Sequence, residues 1–195
     1  MKLHSALPFC LAVSLPALAF AAAPPASKPA VATPAAPAFH RVELKPTQSQ
    51  GKPLPYTVEV PKDWEVRQIE GFPGLWIGPA DAKPPQDPRL IWIHGSQVSL
   101  ADPDGVVANI RATDLQKAEW SAPRVEVKEV GGVRGVLVRM DAGEGDKARS
   151  NLTLKLPLKN LAIDFVATAD RADFEKNLPL YERILLSVRP AEAVK

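Results

Sequence analysis

Cysteine is all but missing from this chain: of 195 residues only Cys10 carries a thiol. It falls in a segment that reads as an export signal, so the mature chain has none. That excludes a disulfide framework, a cysteine nucleophile, thiol redox chemistry and any cysteine-held zinc or iron site. Histidine is nearly as scarce, at three residues. His4 leaves with the signal, and His40 and His94 stand far apart, a poor set for acid–base chemistry. Charge of one sign is lacking too: 24 Lys plus Arg face 22 Asp plus Glu, so no basic field draws the chain onto nucleic acid. The Gly-x-Ser-x-Gly and His-Glu-x-x-His patterns, the Gly-Lys-Ser/Thr phosphate loop and Gly-x-Gly-x-x-Gly are all missing. The residues specify no metal and no cofactor.

What the chain has in excess is proline, 21 residues against a usual share of roughly 5%. Its location divides the sequence. Lys2 precedes an apolar run from Leu7 to Phe20, and Ala19-Phe20-Ala21 supplies the small-x-small pattern of a signal-peptidase site, so cleavage is expected between Ala21 and Ala22. Pro8 and Pro16 interrupt a run already short of the ~20 apolar residues of a membrane span. Cys10 lies inside that run rather than at the cleavage point, so no lipid anchor is expected. The predicted mature protein is periplasmic or secreted and does not span a membrane. Residues 22–39 follow as an Ala/Pro-rich tether, where Pro24, Pro25, Pro29, Pro34 and Pro37 forbid a continuous helix. The domain is predicted over 40–190, with a tail at 191–195.

Within that domain apolar and polar residues alternate over Tyr56–Val60, Arg124–Lys128 and Asn151–Leu156, the mark of strands with one face buried. Gly131-Gly132 and Pro157-Leu158-Lys159-Asn160 supply turns, and four consecutive strands run from Val125 to Val166. Arg41–Leu44, Leu75–Ile77 and Arg89–Ile93, extendable to Leu100, add strands in the first half. Asp102-Pro103-Asp104 reads as a cap and first turn, which predicts a helix over 103–118. Phe174, Leu178, Tyr181, Leu185 and Val188 step at helical spacing. Pro179 is accommodated if Asn177 caps a new helix, giving a turn at 171–176 and a main helix at 178–188. The order predicts an α+β domain, a mainly antiparallel β-sheet flanked by helices.

Tyr56-Thr57-Val58-Glu59-Val60-Pro61-Lys62-Asp63-Trp64, a strand running into a Pro-x-x-Trp turn, resembles the opening of PsbP-like domains. The close from Phe174 to Arg189, with Tyr181-Glu182-Arg183-Ile184-Leu185-Leu186-Ser187-Val188-Arg189, is similar to the final helix of that superfamily, which includes Mog-type and DcrB-type branches. The likeness covers nearly the whole domain in element order and these two stretches in residues. It implies an α/β/α sandwich used for binding or assembly, in general without catalysis.

The chemistry-bearing residues are few. His94-Gly95-Ser96 puts a hydroxyl near an imidazole, but neighbours on one strand do not converge as a nucleophile and its base must. Asp141, Glu144 and Asp146 gather in a glycine-rich loop that lacks the twelve-residue calcium pattern; a solvated hairpin is the plainer reading. Asn151-Leu152-Thr153, formally a glycosylation acceptor, lies on a strand. Of the four tryptophans, Trp64 and Trp92 read as core, Trp92 beneath helices, while Trp76 and Trp120 are candidate partner-binding residues. These residues fit an exported, non-enzymatic envelope protein that binds another envelope protein. A small-ligand binder, a weak hydrolase or a neutraliser of a periplasmic toxic effector are the alternatives.

Overall fold

The computed structural model describes residues 37–45, 54–68, 74–84, 87–96, 98–114, 123–158 and 161–191. The expected export signal, nearly all of the tether, Trp120, the last four residues of the expected first helix and most of the tail lie outside them.

Strands β1 (Phe39–Glu43) and β2 (Tyr56–Pro61) pair antiparallel. Lys62 and Asp63 make a tight turn into β3 (Trp64–Arg67), followed by β4 (Leu75–Pro79) and β5 (Ile91–Ser96). Helix α1 (Pro103–Asp114) comes next, then β6 (Arg124–Val130), β7 (Val133–Ala142), β8 (Arg149–Leu158) and β9 (Leu161–Asp170). Helix α2 (Arg171–Leu186) and the two-residue β10 (Arg189–Pro190) finish the domain. Every pairing is antiparallel: β1-β2-β10 form a small sheet, and a seven-stranded sheet runs in the order β3-β4-β5-β9-β8-β7-β6. The four-strand meander is therefore present, as is the α+β class.

The alternation in the strands decides which residues meet which layer. Leu152, Leu154 and Leu156 of β8 and Ile163, Phe165 and Ala167 of β9 share one face, and the main core forms where this face meets α2 and β2 through Phe174, Tyr181, Ile184, Leu185, Val58 and Val60. On the opposite face, Val106, Val107 and Ile110 of α1 pack on Val125, Val136 and Val138 of β6 and β7. The backbone amide of Gly105 donates to Asp102 Oδ1 at 3.1 Å, which is the cap that starts α1. Gly131 and Gly132, at φ 59° and 79°, make the β6–β7 turn in the left-handed region that a two-residue hairpin demands.

Four expectations are corrected. Pro179 does not open a new helix: α2 is continuous from Arg171 to Leu186 with Pro179 in its interior. Phe174 and Tyr181, both fully buried on either side of the proline, hold the two halves in line. Asn177, expected as a cap, instead donates through Nδ2 to the Asp173 carbonyl at 2.8 Å. β8 runs on through Pro157, opposite Ala162, rather than turning there. Trp64 opens a strand, β3, that pairs with β4. Trp92, expected beneath helices, packs with Trp76, Ala82 and Leu90, and among the described residues no helix joins that cluster. Among the described residues no helix is long and apolar enough to cross a membrane.

Candidate functional site

Among the described residues, helix α1 packs chiefly on the β6–β7 end of its face. Beside it, over β8, β9 and β5, opens a cavity of about 330 Å³ lined by polar side chains on the strands and by Ile110, Val138, Met140 and Val166. Register explains its make-up. Lys155 of β8 stands opposite Asp164 of β9, which stands opposite His94 of β5. One row along, Thr153, Val166 and Trp92 face one another, with Trp76 beyond. Asn151 sits in the next row, opposite Met140 of β7.

Lys155 Nζ donates to Asp164 Oδ2 at 2.5 Å. Only 16% of the lysine side chain and 7% of the aspartate's is exposed, so this is a buried ion pair rather than a surface one. Asp164 Oδ1 is buried and has no hydrogen-bond partner among the described residues. A buried carboxylate oxygen left in that state costs about 1–3 kcal/mol or more. Thr153, 6% exposed, donates through Oγ1 to Asn151 Oδ1 at 2.7 Å. His94 Nδ1 lies 3.0 Å from the Gly95 carbonyl. A carbonyl only accepts, so Nδ1 is the donor in this contact. The His94 ring sits 4.5 Å from that of Trp92, which stacks on Trp76 at 5.6 Å.

The candidates named from the sequence are placed as follows. Trp76 is 7% exposed and stacks on Trp92, whose ring lies beside that of His94. Trp120 lies outside the described residues. Ser96 Oγ accepts from the Val98 amide at 3.4 Å, and no contact joins it to His94 among the described residues. Asp141 Oδ1 accepts from the buried Ser150 hydroxyl at 2.5 Å, which makes it a hairpin tie, while Glu144 and Asp146 are exposed. Among the described residues no group of three or more His, Cys, Asp or Glu side chains is placed to hold a metal ion.

Sequence reasoning missed Lys155, Asp164, Asn151 and Thr153. Asp164 did carry a signal: it is the single charge between Leu161 and Ala169 in a strand otherwise apolar but for Thr168, and acids in such settings are seldom buried unless paired.

Comparison with family models and with curated proteins finds no match. Among solved structures, the chain is similar to the cyanobacterial PsbP (CyanoP) of Synechocystis sp. PCC 6803, at 14% identity over 80% of this chain and 94% of that one, TM-score 0.49. It is also similar to LpqN of Mycobacterium tuberculosis, described as involved in cell envelope biogenesis, at 14% identity over 78% of this chain and 91% of that one, TM-score 0.49. A third is the Pseudomonas aeruginosa protein PA94, of unknown function, at 14% identity over 73% of this chain and 92% of that one, TM-score 0.42. A PsbP stands among these similar structures. Likeness at these identities concerns architecture, and function is argued from the site.

Proposed function

We propose that this chain is an exported, non-enzymatic envelope protein that acts by binding, and that its binding surface is the cavity-bearing part of the seven-stranded sheet over β5, β9 and β8. The observation that supports this is Asp164, a buried residue of the cavity wall with one oxygen tied to Lys155 and the other without a hydrogen-bond partner among the described residues. Buried polar atoms in folded proteins are nearly all satisfied, and a cavity on which a few polar groups converge is the usual form of a binding site. Export rests on the pattern from Lys2 to Ala21, with Ala22 as the first mature residue and 22–39 as a spacer between the domain and its surroundings. The partner in this reading is another envelope protein whose chain reaches into the cavity.

Photo-crosslinking tests both halves. A crosslinking residue placed at His94 in cells should yield adducts from exported protein that begins at Ala22, whereas the same residue at Glu182, exposed on α2, should yield none. Adducts at 182 alone would move the binding surface to α2, and a protein retaining Met1 would remove the export argument.

A further inference from the structure

The cavity on the β5–β9–β8 face has a chemistry more specific than binding, and this step rests on the reading of that face as the binding surface. Asp164 Oδ1 needs a donor. A cationic donor is disfavoured, because Lys155 Nζ already holds the other oxygen at 2.5 Å and a second positive charge would crowd the first. An anion is disfavoured by Asp164 itself. A neutral donor remains.

The same wall also requires an acceptor. Lys155 has three protons and spends one on Asp164, and Asn151, whose oxygen accepts from Thr153, brings a second donor group to the cavity wall. The occupant therefore presents a neutral donor and an acceptor a short distance apart. Ile110, Val138, Met140 and Val166 supply apolar wall around these polar groups, which suits an apolar attachment and not a fully hydroxylated ring. We infer that the site takes a neutral carboxamide carrying a small apolar group, the N–H donating to Asp164 and the carbonyl accepting from Lys155 or Asn151. At about 330 Å³ the cavity lies at the small end of ligand pockets, room for one or two apolar residues of a peptide.

The probe is N-acetyl-leucinamide, followed by two-dimensional amide NMR of the mature chain. Isoamylamine, isovalerate and methyl glucoside serve as cationic, anionic and polyol comparisons. The amide should shift the resonances of 94, 151–155 and 162–166 with saturable, millimolar affinity, and the other three should bind at least tenfold more weakly. Asp164→Ala alone leaves Lys155 buried without its partner and risks unfolding. The double change Lys155→Met/Asp164→Leu removes both charges together, a replacement that buried pairs often tolerate. That variant should fold, keep its amide dispersion and lose at least tenfold in affinity for the probe. If isoamylamine, isovalerate or methyl glucoside binds these residues as tightly as the amide, the site stands and the carboxamide assignment falls. If no probe moves them and crosslinking at His94 also gives nothing, the binding surface falls with it. Unchanged affinity in the double variant overturns the assignment to Asp164 and Lys155.

Discussion

Pro179 gives the sharpest test of how the C-terminal segment is built. In a continuous helix from Arg171 to Leu186 it is an interior residue, exposed on the outer side, and its missing N–H leaves the Glu175 carbonyl without its helical donor. An interior proline is about 3 kcal/mol less favourable than alanine in peptide hosts, a figure that already includes the stiffer unfolded chain. Only part is recoverable here, because Glu175 and Pro179 are both exposed and water competes for that carbonyl. Pro179→Ala should therefore stabilise the protein by about 1–2 kcal/mol. For a domain of this size that is roughly 2–8 °C in Tm. Urea and thermal unfolding of the mature protein measure it. Had a new helix begun at 178, the proline would sit in a first turn, where its fixed φ helps and its N–H is not needed. The same substitution would then leave stability unchanged or lower it. A neutral or negative result would refute the continuous helix and restore the segmented one.

Two further outcomes follow from the same helix. Leu185 is fully buried in the main core and Glu182 is exposed, so Leu185→Ala should cost about 2–5 kcal/mol while Glu182→Ala stays near wild type in denaturant unfolding; equal behaviour would deny α2 its place in the core. Tyr181 donates to the Pro88 carbonyl, and burial first, then the charges of Asp173 and Asp87, push its phenol well above the ordinary value of 10.0. A raised folded value favours the protonated form, so this contribution is intact below pH 10 and drains away as pH climbs above it. Tyr181→Phe should lose about 1 kcal/mol at neutral pH and show a shallower decline of stability above pH 10, and an alkaline slope identical to wild type would refute the assignment.

The elements that could be read from sequence are those whose signal is local. The Gly131-Gly132 turn, the Asp102 cap and the alternation of β8 need no knowledge of the rest of the molecule. β3 escaped because four residues, Trp64 to Arg67, paired on one side only, show too little pattern to separate a strand from the end of a turn. Pro179 misled because intrinsic propensity speaks for an isolated helix, whereas Phe174 and Tyr181 anchor this one from both sides. The site was the least legible part. Lys155 and Asp164 become neighbours only through the β8–β9 register, and His94 joins them only through β5. The alternation marks Asn151, Thr153 and Lys155 as one face of a strand, but says nothing of whether water or protein lies over that face. Thr153 is in fact buried.

The two-residue period of β8 and β9 separates two kinds of freedom to change. In β8, positions 152, 154 and 156 answer to the core under α2, while 151, 153 and 155 answer to the cavity, and in β9 the odd and even positions divide in the same way. Substitutions on the cavity side can alter the chemistry of the cavity wall while the residues that hold α2 in place stay as they are. A lineage could recast that wall within these two strands and keep its scaffold throughout. The converse is a vulnerability: a slip of β8 by one residue against β9 would turn Lys155 toward the helix and away from Asp164 and bring Leu152, Leu154 and Leu156 to the cavity, losing core and cavity wall in a single error.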